Sequence, residues 1–260
     1  MTIKIIKTLA ECHIDKIVLR YDKGAIMRTI GIIGGMSWES TALYYRLVNE
    51  GVRERLGGLH SASILLDSCD FADMEKLQAA GEWTAIGRIL SDKALKLQDA
   101  GAESILIATN SMHEVAEVVE EVISVPFLHI ADAVGDSLSG HGVKTVGLLG
   151  TRFTMERPFY SGRLKERFGI DTLIPGSDGR DVVHRVIYQE LCRGVVDESS
   201  KGAYLKVMRE LVKEGAQAIV LGCTEIGLLL EEGDTTIPLY DTAKLHAQAA
   251  VKWMLGNGSA

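Results

Sequence analysis

Short apolar runs alternate with amphipathic stretches along most of this chain. Residues 29–33 are rich in β-branched residues and close on Gly34-Gly35-Met36-Ser37. The next stretch, roughly 40–56, carries Leu43, Leu47, Val48, Val52 and Leu56 at helical spacing, and Gly57-Gly58 stops it. A run at 62–66 predicts a second strand, and the polar residues 67–73 predict a loop leading through Met74 and Gln78 to Gly81. Residues 83–100 then predict a helix through Ile86, Ile89, Leu90, Ala94 and Leu97. The turn Gly101-Ala102 feeds an apolar run, Ile105 to Ala108, which ends abruptly in Thr109, Asn110 and Ser111 before a helical pattern resumes. A further short strand is predicted at 125–130.

The pattern then restarts. Lys144-Thr145-Val146-Gly147-Leu148-Leu149-Gly150 echoes the segment Arg28 to Gly34, and Ala218-Ile219-Val220-Leu221-Gly222-Cys223-Thr224 echoes the run into Thr109-Asn110. Between them lie a helix through Tyr160, Leu164 and Phe168, a strand at 171–174, and helices around 182–191 and 204–211. Thr236 to Tyr240 echoes Ser124 to Leu128, and a closing helix runs from about Thr242 to Leu255. The landmark pairs Gly31/Gly147, Gly101/Gly215, Thr109/Cys223 and Pro126/Pro238 stand 112 to 116 residues apart. A repeat of that length is too long for a solenoid unit and points to a duplicated α/β domain. Strands apolar throughout, alternating with helices, predict parallel sheets covered on both faces, with ligands bound beyond the carboxyl ends of the strands. If the halves face each other, Thr109 and Cys223 meet across one cleft.

Composition narrows the classes without choosing among them. The 260 residues suffice for one large domain or two small ones, with 47% apolar and 24% charged residues. A formal net charge of -7 and the lack of a Lys/Arg cluster give no footprint for nucleic acid. No apolar run approaches the roughly 18 residues of a membrane span. The four cysteines, Cys12, Cys69, Cys192 and Cys223, show no CxxC spacing, and the seven histidines form no HExxH, so neither a zinc site nor a disulfide framework is expected. A reducing cytoplasm fits, and it leaves a thiol free for chemistry. Residues 1–26 lack both the rhythm of the rest and the apolar core of a signal peptide; they are expected to be a dispensable extension, with Met27 as the working start.

The chemistry gathers at the strand ends. A GxGxxG fingerprint would need glycine at 31, 33 and 36, where the chain has Gly31, Ile33 and Met36, so the glycines read as a tight turn whose N–H groups suit a carboxylate. Cys223, at a Gly-Cys-Thr junction, is expected to be a working thiol, its pKa lowered from about 8.5 by a helix N-terminus. The bland alternative is a small buried hydrophobe. Thr109 alone reads as a helix cap; its match to Cys223 makes it a candidate partner. His113, one turn on, either reaches the tip or caps the packing. His129 and Asp132 have a weaker claim. Cys12, Cys69 and Cys192 read as structural, with the Cys69 loop a possible border of the cleft. Trp38, Trp83 and Trp253 read as core or interface residues.

These motifs, Thr29 to Met36, Asn110-Ser111-Met112-His113, Pro126 to Ile130 and Gly222-Cys223-Thr224-Glu225, resemble those of the aspartate/glutamate racemase family over nearly the whole of residues 27–255. The resemblance implies two Rossmann-like domains around one substrate: 27–124 plus about 242–260, and 125–241. It implies an amino-acid racemase that uses neither pyridoxal phosphate nor metal, and a homodimer. Two cysteines, one per domain, serve there as acid and base on opposite faces of Cα. Here the first position is Thr109 and the second is Cys223, so a lopsided enzyme is expected: Cys223 abstracts, Thr109 reprotonates, and L to D is the fast direction. By the same resemblance Asn110, Ser111 and Thr224 bind the α-carboxylate, Met36 and Gln78 line the cleft, and Arg180 stands near a cation for an acidic side chain. Aspartate, glutamate or a broader amino-acid set remain open as substrates. The rival readings are a cofactor-free decarboxylase using Cys223 alone and a non-catalytic amino-acid binding protein.

Overall fold

The computed structural model of the chain describes residues 27–231 and 233–256; the expected extension, residues 1–26 with Cys12, lies outside them. Two four-stranded sheets organise the described residues, and every strand pairing is parallel. The first has the order β2-β1-β3-β4, with β1 Ile30–Gly34, β2 Ile64–Ser68, β3 Ser104–Ile107 and β4 Phe127–Leu128. The second has the order β6-β5-β7-β8, with β5 Thr145–Gly150, β6 Asp171–Leu173, β7 Ala218–Gly222 and β8 Leu239–Asp241. The same order occurs twice.

Side-chain alternation explains why the strands read as continuous apolar runs. Ile30, Ile32, Leu106 and Ala108 enter one core, while Ile33, Ile105 and Ile107 enter the core on the opposite face. The second sheet divides likewise: Val146, Leu148, Ala218 and Val220 to one side, Leu149, Ile219 and Leu221 to the other. Helices cover all four faces. In the first half these are α1 (Trp38–Leu56), α2 (Phe71–Ala79), α3 (Trp83–Asp99), a 3-10 turn at Ser111–Val115 and α4 (Ala116–Val122). Then come α5 (Ile130–Gly140), α6 (Arg152–Glu156), α7 (Pro158–Phe168), α8 (Ser177–Gln189), a 3-10 turn at Leu191–Arg193, α9 (Glu198–Lys213), α10 (Ile226–Leu229) and α11 (Thr242–Met254).

Local chemistry sets the boundaries. Ser37 caps α1 by accepting from Ser40 N, an interaction of about 1 kcal/mol, and Gly57 ends the helix at a φ of 77°. Gly35 has a φ of 86°, and a Cβ there would fall 2.1 Å from the Cys69 carbonyl oxygen. Three expectations are corrected. A helix, α2, stands where the polar loop led on to Gly81, because Asp70 caps it and only Met74 and Gln78 are buried. A further helix, α5, fills the stretch after β4, capped by His129. The first sheet runs past the division expected at 124/125, because Phe127 and Leu128 pair with Ile105 and Leu106. Helix α11 returns to the first sheet: Ala243, Ala247, Ala250 and Met254 pack with Ile30, Tyr44 and Val48.

Candidate active site

Both sheets point their carboxyl ends at one narrow cavity of about 40 Å³. The turn after β1 supplies Met36 and Ser37, the end of β3 supplies Thr109, Asn110 and Ser111, and α2 supplies Gln78. From the second half come Thr151 after β5, Cys223, Thr224 and Glu225 after β7, Ile187 and Tyr188 from α8, and Cys192 from the 3-10 turn. Seven of the eight expected site residues, Met36, Gln78, Thr109, Asn110, Ser111, Cys223 and Thr224, therefore share one wall system. Arg180 does not: its Nε binds Glu156 Oε1 at 2.8 Å and its Nη1 the Pro175 carbonyl at 2.8 Å. Among the described residues the wall contains no lysine, arginine or histidine.

The second tip is organised by a residue that sequence reasoning did not single out. Cys223 Sγ donates to Glu225 Oε2 at 3.0 Å, and Thr224 Oγ1 donates to the same oxygen at 2.8 Å. The other oxygen, Oε1, accepts from Ser37 Oγ at 2.9 Å and Ser40 Oγ at 3.0 Å, both on the first half. Glu225 is buried, so its carboxylate both ties the halves together and takes the thiol proton's hydrogen bond. The expected lowering of the Cys223 pKa is overturned. Burial first, then the Glu225 carboxylate, push the thiol well above its ordinary value. The helix that follows has only four residues, too short to offset them. Cys192, expected to be structural, also faces the cavity, and burial pushes its thiol up to about 12. Cys69 stays off the wall and packs under the first sheet.

The first tip is held differently. Asn110 Nδ2 donates to Thr242 Oγ1 at 2.9 Å, and that hydroxyl donates to the Leu221 carbonyl at 2.9 Å. His113 accepts from Ile130 N on Nε2 at 3.2 Å, so its Nδ1 carries the proton and donates to the Thr109 carbonyl at 2.8 Å. It fixes the tip from behind and does not enter the cavity. Its ring lies 4.5 Å from that of His129 and 5.8 Å from that of His246. Burial lowers all three: His113 to about 3, His246 to about 4, and His129 well below the ordinary value. Asp132 is turned away, onto Arg163 and Arg167.

Two buried amide atoms in the wall lack partners among the described residues: Gln78 Nε2, a donor, and Asn110 Oδ1, an acceptor. Buried polar atoms are rarely left unpaired, so an unpaired donor and acceptor in one cavity mark it as built for a ligand carrying both complements. Among the described residues no cluster of three or more His, Cys, Asp or Glu side chains is placed to hold a metal ion. No helix among them is long and apolar enough to cross a membrane. A much larger groove, about 950 Å³, opens along β4 and α5, far from the thiol in sequence and lined by none of the cavity residues.

Two parallel α/β halves thus bring a thiol and a hydroxyl, at matched strand ends, to one cavity. The family model described as Asp/Glu/Hydantoin racemase matches residues 33–250, and the chain belongs to that family. A solved structure from Yersinia pestis, provisionally classed as an Asp/Glu racemase, is 48% identical and superposes with a TM-score of 0.84 over 88% of this chain and 100% of that one. An aspartate racemase homologue from Pyrococcus horikoshii is 32% identical, with a TM-score of 0.78 over 88% and 99% of the two chains. The broad specificity amino-acid racemase RacX of Bacillus subtilis is 22% identical over 239 residues, 87% of this chain and 98% of that protein.

Proposed function

We propose that the chain is a cofactor-independent amino-acid racemase that works mainly from the L-enantiomer. The observation that carries this reading is the pair of tips, Thr109 and Cys223, brought by the repeat to one cavity, with only the second carrying an ionisable nucleophile bonded to a carboxylate. A standing thiolate is scarce at Cys223, since its pKa is raised. Glu225 is therefore the acceptor for the thiol proton. The thiolate so formed takes the proton from Cα, and the Thr109 hydroxyl delivers its proton to the opposite face. Solvent then restores the Thr109 hydroxyl and removes the proton left on Glu225. Attack from the Cys223 side corresponds, by the family resemblance, to the L-enantiomer. Equilibrium between enantiomers is untouched; the asymmetry lies in rates.

The substrate is an amino acid held by Asn110, Ser111, Thr224 and Gln78, with Met36 packing beside it. Gln78 Nε2 suits a carboxylate oxygen and Asn110 Oδ1 an ammonium N–H, because each is buried and unpaired. A wall without a cation favours a broader amino-acid set over strict preference for aspartate or glutamate. The working form is a cytoplasmic homodimer. The test is deuterium wash-in at Cα for a panel of D- and L-amino acids, followed by NMR. Faster exchange from L-substrates without CO₂ release is expected. Equal initial rates from both enantiomers would sink the lopsided mechanism, and CO₂ release would replace racemisation with decarboxylation.

A further inference from the structure

Helix α1 buries Tyr44, Val48 and Val52 on one side and presents an unusual opposite side. Trp38 is 69% exposed and Tyr45 56% exposed, with Ala42 between them on the same face at helical spacing. Leu228 of the second half, 55% exposed, lies against this face across a depression of about 380 Å³. Large aromatics on a soluble surface cluster where something covers them. The charges beside them say what. Glu39 follows Trp38 and Arg46 follows Tyr45, and neither forms an ion pair within the described residues.

The order is aromatic and acid, then alanine, then aromatic and base. Reflected through Ala42 it is complementary to itself. We propose that this face is the contact between two copies of the chain, with the two α1 helices crossing antiparallel at Ala42; this rests on the homodimer proposed above. In an isologous contact a residue four before Ala42 meets one four after it in the partner. Trp38 then faces the guanidinium of the second copy's arginine at position 46, a cation–π pair, and Glu39 reaches the same cation. The small side chain at 42 permits close helix approach. Each contact occurs twice. The aromatic pair also covers Leu228, so the second copy presses on both halves of the first, at the outer side of Ser40 and Glu225.

Sedimentation equilibrium on the full chain tests this. Wild type is expected at twice the chain mass at micromolar concentration. Glu39→Arg or Arg46→Glu alone places like charges opposite each other twice and should weaken the dimer about tenfold or more. The double variant Glu39→Arg/Arg46→Glu should return to within about threefold of wild type. Ala42→Cys supplies an independent arm: two copies of that thiol, oxidised by glutathione disulfide, should give a disulfide-linked dimer that wild type does not form under the same oxidant. A wild-type monomer would overturn both the homodimer and this surface. A dimer that neither single variant weakens, or an Ala42→Cys chain that does not cross-link, overturns the surface alone. So do weakened single variants that the double variant fails to rescue.

Discussion

The two halves share their backbone chemistry down to single hydrogen bonds. Glu103 N donates to the Thr29 carbonyl while its side chain accepts from Thr29 N; Gln217 does the same with Thr145. Ile105 N and Ile219 N each donate to a proline carbonyl, Pro126 and Pro238, at 2.9 Å. Gly31 and Gly147 each let a helix press close to the central strand. At the tips the likeness stops. Thr109 stands on a neutral imidazole that holds its carbonyl, whereas Cys223 stands beside a carboxylate that accepts its hydrogen bond. The lesson is that duplication keeps the frame because the frame is set by packing. The chemistry at each tip is set by a few side chains that packing does not constrain.

That contrast can be broken from either side. The largest effect is expected for Cys223→Ser: loss of measurable Cα exchange with ligand affinity kept, read by calorimetry beside NMR. Glu225→Gln should lower turnover about 100-fold or more, the lower range for loss of a positioned base. The same change removes the negative charge that raises the thiol, so iodoacetamide should alkylate Cys223 faster than in wild type at pH 7. Slower alkylation, or undiminished turnover, would remove Glu225 from the proton path. Thr109→Cys puts a thiol at both tips and should raise the rate from D-substrates about tenfold or more relative to L. A chain that stays as lopsided as before would show that the asymmetry does not reside in this residue.

Smaller effects concern stability. His113, His129 and His246 have folded pKa values below their ordinary 6.5. The unfolded chain binds protons that the folded one refuses, so their contribution is complete above about pH 6.5 and is lost as pH falls towards 3 to 4. Each withheld proton costs about 1.4 kcal/mol per pH unit. Thermal melts should show Tm falling between pH 7 and pH 5, and His246→Phe should flatten that fall while sacrificing the Tyr44 hydrogen bond. Smallest is the test of the shared frame: Gly31→Ala and Gly147→Ala should each destabilise by about 1 to 3 kcal/mol in urea melts. Gly31→Ala should cost more. Its added methyl meets the Ala102 Cβ at 2.9 Å, which cannot rotate aside, while at Gly147 the near atoms are the ends of Ile219 and Leu211.

Much of this was legible in the sequence, for reasons that also explain what was not. The strands and their duplication show because buried parallel strands are apolar on both faces and end in glycine or small polar residues. Helix α2 hides because it buries little beyond Met74 and Gln78, leaving no apolar stripe to read. Helix α5 is short and buries small residues such as Ala131 and Gly135, which carry a weak periodic signal. Thr109, Asn110 and Cys223 were found through the repeat. Glu225 was passed over because it lies beyond the motif's thiol; the signal was there, an acid two residues from a cysteine at a strand end. Cys192 reaches the cavity from a distant turn, a long-range placement that spacing does not encode. Arg180 failed for the opposite reason: it lies near the right place in the chain, but Glu156 and Pro175 hold its side chain elsewhere.

The return of α11 to the first sheet has a consequence for how the protein is made. One face of that sheet, with Ile30, Ile32 and Leu106, is completed by Ala243, Ala247 and Val251 from the last helix. Arg28 N, at the entrance to β1, donates to the Met254 carbonyl at 3.0 Å. A ribosome delivers the chain in order, and domains ordinarily fold as they emerge. Here the half that emerges first must wait, its core open on one side, until α11 has left the exit tunnel. The second half leans on α11 as well, through Leu245 beside Ile130, Val134 and Tyr240. A chain stalled or clipped before α11 would therefore carry a first half with one face open, and exposed isoleucines would mark it for chaperones or proteases.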